Sequence, residues 1–355
     1  MNLKQFDLRL FPLSLCAFVF PNFYKPFRRI KPLFSIFVKQ ILLFTLEQIA
    51  IIDLGTNTFH LLIVSVKGSD YQILYSEKVA VRIGKGGINE GFITDEAANR
   101  AINTLQYFNA EIQERGIKKV VATATSAFRN AKNGNALAES IKAKTGISIS
   151  IISGDREAEL IYFGVKEALQ IGKEKALIVD IGGGSVEFII ANDDELFWKQ
   201  SFEIGGQRMI ERFQKTDPIK PEAILELNSF LTNSLEPLRT ALKTFPTKTI
   251  IGSSGSFDTF SEMVLRKKGY QYSIETKTEY EISLKDFSIL YDEIVFNDRE
   301  ARLALPGMID LRVDMIVVGT ILVRHLLDSL NLNRIRVSTY ALKEGVLSAV
   351  INEKF

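Results

Sequence analysis

The sequence predicts an α/β protein built of two similar halves that face each other across a cleft. Three observations predict it. A short pattern occurs twice, as IAIIDLGTNT at 49–58 and ALIVDIGGGS at 176–185. Each copy is an apolar run, an Asp, one apolar residue, a Gly and a small polar turn, and each is followed by a second apolar run, FHLLIVSV or VEFIIAND. Asp53 and Asp180 lie 127 positions apart (180 − 53), about one domain length.

Strands are expected at 49–53, 59–66 and 71–81, joined by short turns at Gly55 and 67–70, which suggests an antiparallel meander. A helix over 95–114 follows. Thr94 is placed to cap it, Asp95 and Glu96 favour its first turn, and Gly116 stops it. A strand at 119–124, a helix at 135–144 closed by Gly146 and a strand at 148–152 complete the first half. The order β-β-β-α-β-α-β is that of ribonuclease-H-like domains. It then restarts, with strands at 176–180, 186–191 and 195–204, a helix at 221–244, a strand at 248–252 and a helix at 256–268. A helix at 312–329, a strand at 334–337 and a helix at 342–352 close the chain. The expected division is 47–153 for the first domain and 154–340 for the second, with 341–355 packing back on the first.

Composition narrows the function. Charged residues make up 24% and apolar residues 46%, and the net charge is +2, so no general nucleic-acid grip is indicated. Cys16 is the only cysteine, which excludes an intramolecular disulfide and suggests a reducing compartment. His60 and His325 are the only histidines, leaving carboxylates as the natural metal ligands. Residues 1–46 depart from the rest. They hold 7 basic residues, one acid and 9 of the 25 phenylalanines, leaving a body of 37 basic and 41 acidic residues, net −4. The apolar stretch from Leu13 to Phe20, bracketed by Pro12 and Pro21, is too short to span a membrane, so no stable membrane insertion is expected. The segment reads as an extension outside the folded body, with the true start near Leu46, although Met209 is the next methionine after Met1.

The two Asp-Gly turns carry the chemistry. Glycine lets the backbone approach a phosphate and turn N–H groups toward it. Gly55, Thr56, Asn57 and Thr58 in the first turn, and Gly182, Gly183, Gly184 and Ser185 in the second, supply amides and hydroxyls. An Asp-x-Gly pair can simply close a hairpin, but two copies one domain apart argue for paired anion cradles. Asp53 and Asp180 at the strand ends are placed to hold Mg²⁺. Overlaying the copies aligns His60 with Glu187, one a candidate phosphate donor and the other a candidate metal ligand. A third turn, Gly252, Ser253, Ser254, Gly255 and Ser256, opens a helix whose amides could meet an anion; a plain strand-to-helix turn reads equally well. Between the halves, SGDREAELIYFGV brings Asp155, Glu157 and Glu159 to a helix start, where one carboxylate could face a cation-poor cleft as a general base. In ATATSAFRNAKN, Arg129 reads as a bidentate phosphate contact or as a solvated charge.

With DLGTNTFHLLI, VDIGGGSVEFII, GSSGSFD, RVDMIVVGTILV and VSTYALKEGVL in the same order, the chain resembles the exopolyphosphatase and guanosine pentaphosphate phosphohydrolase family over about 48–350. That family belongs to the superfamily of sugar kinases, heat-shock ATPases and actin. The resemblance implies two ribonuclease-H-like (actin-like ATPase) domains with an interdomain cleft, Mg²⁺ as cofactor, and a polyphosphate or guanosine pentaphosphate substrate in a cytoplasmic enzyme. It makes Glu157 the base, Asp180 and Glu187 with Asp53 nearby the metal carboxylates, the two turns the phosphate cradles, and Arg129 a phosphate contact. Longer members carry a C-terminal helical domain for dimerisation and long-chain handling; this chain ends soon after VSTYALKEGVL, which weighs against processive action and leaves a homodimer open. Thr56 and Thr58 stand where many members have serine. An ATP-hydrolysing relative and a non-catalytic phosphate sensor are the alternatives.

Overall fold

The computed structural model describes residues 47–355, so the expectation for 1–46 and Cys16 lies outside the described residues. The first sheet contains β1 (Glu47–Leu54), β2 (Thr58–Lys67), β3 (Asp70–Ala80), β4 (Lys119–Ala124) and β5 (Ile149–Ile151), in the order β3-β2-β1-β4-β5. β2 and β3 are antiparallel, whereas β4 runs parallel to β1 and to β5. Helix α1 (Asp95–Glu114) starts where Thr94 Oγ1 accepts from the Ala97 amide and ends at Gly116, whose φ of 68° no β-carbon favours. A single turn, α2 (Ser126–Asn130), follows β4 directly, and α3 (Gly134–Thr145) closes at left-handed Gly146. Helix α4 (Gly154–Ala168), capped by Ser153, leads to the second half.

The second sheet repeats the plan with one addition. β6 (Ala176–Ile181), β7 (Val186–Ala191), β8 (Leu196–Phe202), β9 (Thr249–Ser253), β10 (Glu279–Ile282) and β11 (Arg334–Ser338) are ordered β10-β11-β9-β6-β7-β8. Without antiparallel β10 this is the order of the first sheet. Every residue of β6 and β7 is buried, which is why both read as largely apolar runs, with Asp180 and Glu187 as their only polar residues. Helices α5 (Gly206–Phe213), α6 (Pro221–Ser234), α7 (Glu236–Thr244), α8 (Ser254–Lys267), α9 (Leu284–Val295), α10 (Arg299–Leu303), α11 (Met315–Ser329) and α12 (Leu342–Ile351) complete it.

Three expectations are corrected. The helix expected over 221–244 is two helices broken at Leu235, because Pro237 opens the second and has no N–H to continue the first. The helix expected over 312–329 begins at Met315, since residues 309–313 form a turn in which Ile309 O accepts from the Arg312 and Val313 amides. The third glycine turn is a strand-to-helix turn, one of its two expected readings: β9 runs into α8 at Ser253, and Ser254 carries the strain with φ 67°. Residues 269–311, left without elements above, supply β10, α9 and α10. Ser283 Oγ accepts from the Asp286 amide there, a cap legible in the sequence SLKD.

Buried apolar side chains form three clusters. One fills the outer side of the first sheet under α1 and α3, and another lies under the helices of the second sheet. The third joins the halves: Ile49, Ile51 and Leu62 of the first sheet, Ile178 and Ile189 of the second, Leu160 and Ile161 of α4, and Val346 and Leu347 of α12. α4 and α12 cross at glycines. A β-carbon on Gly345 would lie 1.7 Å from Leu160 O, and one on Gly164 would lie 2.1 Å from Ala341 O.

Candidate active site

Both Asp-Gly turns are closed by the same hydrogen bond. The Gly55 amide donates to Thr58 O and the Gly182 amide to Ser185 O, each at 3.1 Å. Among the described residues no backbone carbonyl takes the amide hydrogens of Thr56, Asn57, Gly183 or Gly184, which leaves them for a ligand. The turns meet across the cleft. A β-carbon on Gly183 would lie 2.8 Å from Asn57 Oδ1, and one on Gly184 would lie 2.5 Å from both Thr56 Oγ1 and Ser126 Oγ. Glycine is therefore required by the closeness of the opposite half.

A cavity of about 120 Å³ opens between them. The first turn, the second turn, His60, Asp53, Asp180 and Glu157 all line it, as the sequence predicts. Of the three acids at the start of α4, only Glu157 is buried; Asp155 is exposed and Glu159 pairs with Arg156. Glu157 Oε2 accepts from Arg129 Nη1 at 2.8 Å. His60 Nε2 lies 3.1 Å from Thr58 Oγ1, and burial together with Lys343, Lys78 and Arg312 holds the imidazole neutral.

Several predicted contacts sit elsewhere. Arg129 is not on the cavity wall: its guanidinium donates to Ile152 O, Glu157 and Glu203, so it orients Glu157 and offers no hydrogen-bond fork to a phosphate there. Glu187 also lies behind the wall, opposite Asp180 in register, and accepts from Ser201 Oγ at 2.7 Å. Of the third turn, Ser254 and Gly255 reach the wall, whereas Gly252, Ser253 and Ser256 do not. Ser253 Oγ donates to Asp180 Oδ2 at 2.7 Å and fixes that carboxylate. Gly252 makes room for the Phe257 ring, and Gly255 for the guanidinium of Arg312.

The cleft is also not poor in cations. Lys78 of β3, Arg312 from the turn before α11 and Lys343 of α12 line it, together with Asp258 of α8. Sequence reading missed these four because each stands alone in its own segment. Asp258, Arg312 and Lys343 do fall inside GSSGSFD, RVDMIVVGTILV and VSTYALKEGVL, which is the one signal that could have found them.

The charges are out of balance without a ligand. Burial pushes Asp53 up to about 7, Glu157 up to about 8 and Asp258 up to about 6, and it raises Asp180 and Glu187 as well. Burial, with Arg312 beside it, lowers Lys78 to about 8. Four buried oxygens without a partner, Asp53 Oδ1, Thr56 Oγ1, Asn57 Oδ1 and Asp258 Oδ1, are all on this one wall. A cation near Asp53 and Asp180 and an anion near Lys78, Arg312 and Lys343 would relieve both imbalances. Among the described residues no three His, Cys, Asp or Glu side chains group closely enough to cage a metal. Mg²⁺ commonly takes one or two carboxylates and completes its shell with water and substrate phosphate, and Asp53 and Asp180 fit that donor set.

Two copies of one α/β core, glycine turns in contact and a cation-lined cavity between them define a phosphate-handling protein of the actin-like ATPase architecture. The chain belongs to the Ppx/GppA phosphatase family, whose model matches residues 62–353, and it is a phosphohydrolase. It is similar to the crystal structure of an exopolyphosphatase from Cytophaga hutchinsonii, with 45% identity and a TM-score of 0.84 over 86% of this chain and 98% of that one. The Aquifex aeolicus family member, 24% identical with a TM-score of 0.73 over 87% and 99%, shares the fold. A Photobacterium profundum protein named guanosine-5'-triphosphate,3'-diphosphate pyrophosphatase is 26% identical over 304 residues; the match covers 86% of this chain and 59% of that relative. Among the described residues no helix is long and apolar enough to cross a membrane.

Proposed function

We propose that the cleft hydrolyses terminal phosphoanhydride bonds of inorganic polyphosphate, guanosine pentaphosphate or both, and releases orthophosphate, with Glu157 as general base. The observation that carries this reading is one buried carboxylate at the point where both turns and three cations converge, aimed by Arg129. The names of the Cytophaga hutchinsonii and Photobacterium profundum proteins supply the two substrate classes. The amides and hydroxyls of 55–58 and 182–185 grip the terminal phosphoryl groups. Water attacks the terminal phosphorus and gives its proton to Glu157. The bond from phosphorus to the bridging oxygen breaks, and the shortened chain leaves as an anion stabilised by Lys78, Arg312 and Lys343. Mg²⁺ held by Asp53 and Asp180 would supply charge neutralisation on the phosphoryl oxygens. A raised pKa makes Glu157 a stronger proton acceptor in its ionised form, which the Arg129 guanidinium favours.

The test is phosphate release from tripolyphosphate, long-chain polyphosphate and guanosine pentaphosphate, with Mg²⁺ and with EDTA. Release from at least one substrate, abolished by EDTA, is expected. Glu157→Gln should lose turnover by at least ~10² while its circular dichroism stays unchanged. Tight binding of all three without release would sink the hydrolase reading. Wild-type turnover in Glu157→Gln would remove Glu157 from the base role.

A further inference from the structure

Arg302 is fully buried, with no exposed surface, yet it lies outside the cavity. A buried guanidinium is costly unless hydrogen bonds answer it; here three acceptors answer Nε and Nη1, and the buried Nη2 has no partner among the described residues. Arg302 Nε donates to Val313 O at 3.0 Å, and Nη1 donates to Asp217 Oδ1 at 2.8 Å and to Asn297 O at 2.6 Å. Asp217 is itself held, since its Oδ2 accepts from the Arg299 amide at 2.6 Å. The contact with Val313 falls one residue from Arg312. From the outer side Arg299 grips the same turn, with Nε on Asp314 and Nη2 on Asp310. The Arg312 guanidinium lies directly over Gly255, and among the described residues it donates no hydrogen bond. Its backbone, its seat and the charges of Asp258 and Asp180 aim it into the cavity, with no hydrogen bond of its own.

We propose that Arg302 is a positioning residue for the phosphate contact made by Arg312, with the buried Arg302–Asp217 pair fixing the carbonyl of Val313 and so the direction of the Arg312 side chain. A methionine would fill the same apolar space without a charge. What the guanidinium adds is one fixed carbonyl at the root of a side chain that no other hydrogen bond aims. The inference rests on the reading of Arg312 as a substrate contact, and the experiment separates the two.

The experiment is a double-mutant cycle on the full chain, reading kcat and KM for tripolyphosphate with Mg²⁺. Arg312→Ala tests the contact, Arg302→Lys tests the positioning, and the double variant tests whether one acts through the other. Arg302→Lys keeps the charge but cannot reach Val313 O and Asp217 together. It is expected to raise KM about tenfold with kcat changed far less, and to add less than about twofold when Arg312 is already alanine. An effect of Arg302→Lys that persists in full without Arg312 would mark a merely structural role and overturn the proposal, as would a folded Arg302→Lys with wild-type KM. If Arg312→Ala leaves KM unchanged, the reading of Arg312 fails and the positioning role falls with it. If Arg302→Lys does not fold, Asp217→Asn, which removes the anchoring charge from a partly exposed site, is read against Arg312→Ala by the same two criteria.

Discussion

At Glu157 the structure asks a carboxylate to be buried beside Asp180 and Asp53, and the consequence is measurable. Its pKa is raised from 4.5 to about 8, chiefly by burial, with Arg129 opposing. A raised carboxyl pKa means that the folded state binds more protons than the unfolded state. The penalty is therefore absent below the unfolded value, grows as pH rises, and is complete above the folded value. Asp53, raised from 3.8 to about 7, adds to it in the same direction. The ligand-free protein in EDTA should lose thermal stability between about pH 5 and pH 8, and Glu157→Gln should lose less. The difference in Tm between Glu157→Gln and wild type should widen in favour of the variant across that window; a constant difference would contradict it. The helix start between two repeated cores marked Asp155, Glu157 and Glu159 together, and only the family resemblance singled out Glu157. Lys78, Asp258, Arg312 and Lys343 were not legible in the sequence, because a single charge has no pattern until the fold brings distant segments to one wall.

Among the elements, the duplication was the legible part, since β6 and β7 are buried on both faces and β1 carries the same apolar run before its Asp. What has no counterpart in the first half escaped, namely β10 with α9 and α10, and so did the single turn α2 of the first half, which carries Arg129. The crossing of α4 and α12 matters most for the site, because α4 carries Glu157 and α12 carries Lys343. Their axes approach as closely as they do only because Gly164 and Gly345 have no side chain. Gly345→Ala puts a methyl group against the Leu160 carbonyl, a backbone atom that cannot rotate away. Overpacking of this kind costs about 1–3 kcal/mol. Urea denaturation should show that loss at an unchanged m-value, and turnover should fall because the helices carrying Glu157 and Lys343 are pushed apart. Stability within about 0.5 kcal/mol of wild type would show that the crossing relaxes freely.

For the whole molecule, the two halves share one apolar cluster behind the cleft and are bridged in front by polar contacts. Arg208 donates to Ile88 O at 2.7 Å, Glu211 accepts from the Gly86 amide and Asn89 Nδ2, and Asn57 Nδ2 donates to Met315 Sδ at 2.9 Å. A continuous core on one side and exchangeable hydrogen bonds on the other is the construction of a hinge that opens at the front. Phosphate gripped by both turns would add interactions available only to the closed form, and so shift the population toward it. Glu211→Ala removes two of the front contacts without touching the cavity wall. In solution scattering the ligand-free variant should have a larger radius of gyration than ligand-free wild type. A phosphate analogue with Mg²⁺ should bring the two together. KM should rise more than kcat falls, because substrate binding must now supply the closure that Glu211 helped to supply. Identical scattering from variant and wild type, with and without the analogue, would mean that the halves do not move and that the cleft admits substrate without opening.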